Sequence, residues 1–108
     1  MKVEVLYFDG CPSYQRLLPR LRDLVLEAGG EPDRITVRTV ETVEAAVELR
    51  FLGSPTIRVD GEDVDPSAVS RNDFGLKCRL YRGSQGQSGT PPDEWIRAAL
   101  RLTVPSAG

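Results

Sequence analysis

Apolar and polar positions alternate between two periods along this chain. Val3 to Phe8 is a short block of Val, Leu, Tyr and Phe broken only by Glu4, the pattern of a buried strand. Asp9-Gly10 ends it. From Tyr14 the spacing becomes helical, with Tyr14, Leu17, Leu18, Leu21, Leu24, Val25 and Ala28 forming one stripe. Pro12 suits a first helical turn, Pro19 kinks the helix it interrupts, and Gly29-Gly30 stops it. Ile35 to Val40 predicts a second strand with Ile35 and Val37 on one face. Thr42 to Leu52 predicts a second helix, capped by Thr42, with Val43, Ala46, Val47 and Phe51 on its apolar face. Thr56 to Val59 is a third strand, Asp60-Gly61 a hairpin turn, and Val64 the start of the return strand.

Beyond Pro66 the period is lost. Phe74, Leu76, Cys78, Leu80 and Tyr81 are candidates for core contact up to Arg82. Gly83 to Thr90, rich in Gly, Ser and Gln, predicts a flexible loop. Pro91-Pro92-Asp93-Glu94 opens a last helix capped by Thr90, with Trp95, Ile96, Ala99, Leu100 and Thr103 on its apolar face. The elements run β-α-β-α-β-β-α. They predict one domain over residues 1–104, with an irregular, partly flexible insertion at 66–91 and a frayed tail at 105–108.

Composition narrows the chemistry. The chain has no histidine and 2 cysteines, which excludes a Ser-His-Asp triad, a Cys-His pair, a His-ligated zinc and a Cys₄ metal site. The 14 basic residues, all Arg except Lys2 and Lys77, are dispersed among 16 acidic ones, so no nucleic-acid footprint is expected. No run is long and apolar enough to span a bilayer. Met1-Lys2-Val3-Glu4-Val5 enters a strand directly, without signal-peptide features. The expectation is a cytoplasmic protein, in which a cysteine pair is reactive more often than structural.

The sharpest local feature is strand, Cys11-Pro12, then amphipathic helix. It places Cys11 at a helix N-cap, where free amides and the positive dipole end favour a thiolate. Asp9, two residues earlier, opposes this. Ser13 is a hydroxyl donor to the sulfur or a simple cap, and Tyr14 belongs first to the core stripe. The competing reading makes Cys11 a small buried apolar residue. Cys78 has the same two readings: a redox partner, or a packing residue between Leu76 and Leu80. Gly53-Ser54-Pro55-Thr56 is compatible with a cis peptide at Ser54-Pro55. Asp60, Glu62, Asp63 and Asp65 lack the spacing of a calcium loop and predict a solvated turn.

Taken together, Cys11, Pro19, Pro55 and Asp60-Gly61-Glu62 resemble the thioredoxin-like superfamily across residues 1–66 and the last helix. The resemblance implies an α/β fold with one central mixed sheet flanked by helices. It makes Cys11 the nucleophile and Pro55 a cis-proline beside it. Thioredoxins carry Cys-x-x-Cys, whereas Tyr14 stands at the second position here, so the motif is monothiol. The Gly-Gly pair of the glutaredoxin glutathione site is absent from Glu62 to Pro66. Phe8-Asp9-Gly10-Cys11-Pro12, Phe51-Leu52-Gly53-Ser54-Pro55-Thr56 and Gly75-Leu76-Lys77-Cys78-Arg79 resemble small bacterial thioredoxin-family proteins, also called DF-family (seleno)proteins or alkylmercury-lyase-like proteins.

Three functions follow as expectations. The first is a thiol–disulfide oxidoreductase. In it Cys11 attacks and Cys78 resolves, while Pro12, Ser13, Tyr14, Ser54, Pro55, Thr56 and Asp9 line or support the groove. Its substrate is a protein disulfide, a low-molecular-weight thiol adduct or a peroxide, and its electrons come from a reductase partner. No cofactor or resident metal is expected in this reading. The second is a soft-metal thiolate site on Cys11 and Cys78, with Asp9 as proton donor. The third is a non-catalytic interaction domain.

Overall fold

The computed structural model describes residues 2–83 and 86–103. The tail at 105–108, expected to fray, lies outside the described residues. Four strands form one mixed sheet: β1 (Val3–Tyr7), β2 (Thr36–Thr39), β3 (Thr56–Val59) and β4 (Glu62–Asp63). The order is β2-β1-β3-β4. β1 runs parallel to β2 and antiparallel to β3, with Val5 opposite Val37 on one side and Ile57 on the other.

Alternation along β1 separates two cores. Val3 and Val5 join Ile57 and Val59 under helix α1 (Ser13–Glu27) and the last helix, Asp93–Thr103. The stripe of α1 does what its spacing predicts: Leu17, Leu21, Leu24 and Val25 are buried there, and Ile96 and Leu100 meet them from the last helix. Leu6 points to the opposite face, where it packs with Val40, Ala46 and Phe51. Ion pairs Arg97–Glu27 at 2.8 Å and Arg20–Asp93 at 3.2 Å edge the helix pair. Both are exposed and contribute little. No described helix is long and apolar enough to cross a membrane.

The helix between β2 and β3 spans only Val43–Glu48, short of the predicted Thr42–Leu52. Thr42 caps it as expected, its hydroxyl accepting the Ala45 N–H at 3.0 Å. Arg50 then enters the left-handed region at φ 56°, which ends the helix. Arg58 from β3 donates to the freed Leu49 and Arg50 carbonyls at 2.6 and 3.1 Å. In so short a helix only Ala46 is buried. Val43 and Val47, predicted to face the core, are exposed, as is Val37 on the edge strand β2.

The Asp60-Gly61 turn forms with both residues at positive φ, as a two-residue hairpin requires. The return strand ends at Asp63, just before the predicted start at Val64, whose N–H still bonds Ile57 O. The largest departure is after Pro66. A 3₁₀ segment, Pro66–Ser70, leads to an extended stretch, then to strands β5 (Tyr81–Gly83) and β6 (Gly86–Ser88), paired antiparallel. Ordered pairing therefore replaces the predicted loop from Gly83 on, among its described residues. Thr90 does not cap the last helix, which begins at Asp93; its N–H bonds Ser88 Oγ instead.

Candidate functional site

β1 ends at Tyr7, and a turn closed by the Cys11 N–H on Phe8 O turns the chain into α1. Cys11 sits one residue before the N-cap, which is Pro12, and not at the cap itself. The Ser13 backbone N–H, one of the helix's unpaired amides, nevertheless helps to lower the Cys11 thiol's pKa. The Cys11 side chain is 2% exposed. Its thiol faces Ser54 O at 3.6 Å and Ser13 Oγ at 3.7 Å. Gly89, just past β6, lies so close that a Cβ there would meet Ser13 Oγ at 2.9 Å. Gly89 thus reaches the start of α1.

Ser54-Pro55 is a cis peptide immediately before β3. Ser54, Pro55 and Thr56 are all buried. Ser54 forms a one-residue parallel bridge with Cys78. The Ser54 N–H donates to Lys77 O at 2.8 Å, and the Arg79 N–H donates to Ser54 O at 2.9 Å. Two hydrogen bonds therefore seat Cys78 beside the carbonyl that Cys11 faces. Both cysteines are free thiols, Cys11 buried and Cys78 exposed.

The thiols perturb one another. Burial pushes the Cys11 thiol up. The Cys78 thiol, the Ser13 amide and hydroxyl, and the Arg16 charge together outweigh it, and the net shift is downward. Cys78 moves the opposite way: its interaction with the Cys11 sulfur, then burial, raise it. Cys11 therefore ionises before Cys78. Asp9 is exposed and has no hydrogen-bond or ion-pair partner among the described residues. Tyr14 stacks on Tyr7 with ring centroids 3.9 Å apart, which fixes the first turn of α1 against β1.

A buried ionic network under Cys78 carries no signal in the sequence pattern. Along the extended stretch Arg79 and Tyr81 point in, while Cys78 and Leu80 are exposed. Cys78 is therefore not a packing residue between Leu76 and Leu80. Arg79 is fully buried and holds Asp63 through both Nη atoms at 2.7 and 3.1 Å, Asp65 at 3.3 Å and Thr56 Oγ1 at 3.1 Å. Its guanidinium lies 4.5 Å from the Tyr81 ring centre, and Tyr81 donates its hydroxyl to Pro55 O. The predicted solvated turn thus contributes Asp63 and Asp65 to the interior.

Gly53 lets this assembly close. It adopts φ +128°, and a Cβ there would meet Arg79 Cβ at 2.9 Å and Lys77 O at 3.1 Å. Ser54 Oγ is buried without a hydrogen-bond partner among the described residues. No group of three or more His, Cys, Asp or Glu side chains among the described residues is placed to hold a metal ion. The arrangement can exchange thiols and disulfides, or bind a thiophilic group between two sulfurs. Comparison with family models, with curated proteins and with solved structures finds no match to this chain.

Proposed function

We propose that this chain is a thioredoxin-like thiol–disulfide oxidoreductase working through the Cys11–Cys78 pair. The observation that carries the reading is the Ser54–Cys78 bridge, which sets an exposed thiol against a buried one of lowered pKa. The strand order β2-β1-β3-β4, the cysteine before α1 and the cis-proline before β3 support the thioredoxin-like assignment. With no histidine in the chain, the thiolate depends on the Ser13 groups, Arg16 and the second thiol.

In the reaction, the reduced pair takes one substrate disulfide, R–S–S–R′, and becomes the Cys11–Cys78 disulfide. The two electrons and two protons leave on RSH and R′SH. A reducing dithiol, supplied by a reductase partner, restores the pair. The substrate class is a protein disulfide or a disulfide of a small thiol. The pair would be the whole redox centre, and Pro55 and Thr56 would shape the groove over it.

Intact-mass measurement after equilibration with a disulfide buffer tests this. The expected result is loss of two hydrogens in the wild type and none in Cys11→Ser or Cys78→Ser, with faster exchange than free cysteine supports at neutral pH. Failure to close, or closure without accelerated exchange, overturns the proposal. Two adjoining sulfurs also favour a second reading, linear binding of a soft ion such as Hg(II) or Cu(I). One equivalent bound tightly by wild type and lost in either variant, with no exchange activity, would select that reading. Inertness to both leaves the groove as a binding surface only.

A further inference from the structure

The two thiols differ in what can reach them. Cys11 is 2% exposed and takes no part in lining the cavity that Cys78 opens onto. Cys78 is exposed and lines a cavity of about 390 Å³, within the range that small ligands occupy. The charged side chains around that cavity are Arg71, Lys77, Arg79, Arg82 and Asp65. The chain as a whole carries net charge −2, so this concentration of cations runs against its overall sign.

The cations are not equally free. Arg79 is held by Asp63 and Asp65. Arg71 and Lys77 share Asp73, at 2.6 and 2.7 Å. Arg82 is exposed and has no carboxylate partner among the described residues. Four cations thus stand against three carboxylates, and the unmatched charge is on the strand that follows Cys78.

We propose that this cavity binds a small anionic disulfide, whose sulfur is taken first by Cys78 and then released by Cys11. The proposal rests on the dithiol reading above and reverses the order of attack that the resemblance implies. The Cys11 thiolate accepts the Cys78 proton. The Cys78 thiolate attacks R–S–S–R′, forming Cys78–S–S–R and releasing R′S⁻. That anion takes the proton from Cys11 and leaves as R′SH. The Cys11 thiolate then attacks Cys78 Sγ, closing the Cys11–Cys78 disulfide and releasing RS⁻. Each step conserves charge, and the substrate is the only oxidant. Cys11, buried, needs to reach nothing but its neighbour.

The test uses three disulfides of different charge: the dianionic 5,5′-dithiobis(2-nitrobenzoate), neutral 2-hydroxyethyl disulfide and cationic cystamine. Wild-type protein is mixed with each, acid-quenched at short times and peptide-mapped. The expected transient adduct is on Cys78. It accumulates in Cys11→Ser and Cys11→Ala, and adduct formation slows at least tenfold in Cys78→Ser. Because the three reagents differ in intrinsic reactivity, each rate is taken relative to that of free cysteine. The anion is then favoured over the neutral and the neutral over the cation. Arg82→Gln lowers the anion-to-neutral ratio about threefold, and added salt erases the difference between the proteins. An adduct found first on Cys11 overturns the order of attack. Normalised rates indifferent to charge overturn the anionic substrate. A wild type that never closes its disulfide instead fails the dithiol reading, so the two failures are distinguishable.

Discussion

Replacing Arg79 with Met removes the cation that two buried carboxylates were arranged around. The Arg79 side chain is 0% exposed, Asp63 13% and Asp65 8%. Arg79→Met leaves Asp65 with Ser67, whose N–H and hydroxyl bond it at 2.9 and 2.8 Å, and leaves Asp63 with the Asp65 N–H at 2.9 Å. The two negative charges then face each other without a counter-ion. Removing one side of a buried ion pair costs about 3–5 kcal/mol. A domain of this size has only about 5–15 kcal/mol in hand. The variant should therefore lose a large share of its stability in urea unfolding, with a melting point lower by roughly 15–30 °C. The pH dependence gives a sharper reading. The Asp65 carboxyl is pushed up by burial, but the Ser67 bonds and Arg79 bring it below its ordinary value. In the wild type its contribution is full above about pH 4, the unfolded value, and is lost as pH falls through the lower folded one. Without Arg79 two of the causes that lower it are gone, so the folded value rises toward the unfolded one and the variant should lose less stability on acidification than the wild type. Arg79→Met/Asp63→Asn/Asp65→Asn should recover most of the loss. A loss below about 1 kcal/mol in the single variant, or no recovery in the triple one, would refute the network's structural role.

Gly53→Ala should destabilise the fold by about 2–4 kcal/mol, since it combines a positive φ with a backbone clash against Arg79; denaturant titration reads this, and a neutral result contradicts the close approach. Ser13→Ala should raise the pH at which the first thiol ionises, followed by thiolate absorbance, because it removes one of the donors that lower Cys11. Alkylation at neutral pH should slow with it, while Cys78→Ser should show the same direction. Ser54→Ala removes a buried hydroxyl that has no hydrogen-bond partner among the described residues and should leave stability unchanged or raise it by up to about 1 kcal/mol; a loss beyond that would mean the hydroxyl has a partner.

What could be read from the chain depended on whether the signal was local. The α1 stripe repeats over four turns, so Leu17, Leu21, Leu24 and Val25 announce their face without tertiary help. Asp60-Gly61 is legible because few residue pairs tolerate two positive φ values. Val43 and Val47 misled because their spacing is helical but their helix is too short to bury a face. Cys11 before a helix was readable for the same local reason, off by one residue from the cap. The Ser54–Cys78 bridge that brings Cys78 toward it was not, because a bridge of one residue imposes no repeat on either strand. Arg79 was missed for the opposite reason: a fully buried Arg contradicts the usual distribution of charge, and its carboxylates lie in a turn of solvated appearance.

The Ser54–Cys78 bridge has a thermodynamic corollary. By holding two distant positions of the chain together, it sets the effective concentration at which each thiol meets the other. Any free energy the bridge lends to closing the disulfide must, by reciprocity, be returned to the bridge once the disulfide has closed. In the proposed dithiol reaction, redox state and local unfolding of the Lys77–Arg79 stretch would thus be two readings of one coupling. Hydrogen exchange at the Ser54 and Arg79 amides, compared between reduced and oxidised protein, would measure in kcal/mol what a redox titration measures in millivolts.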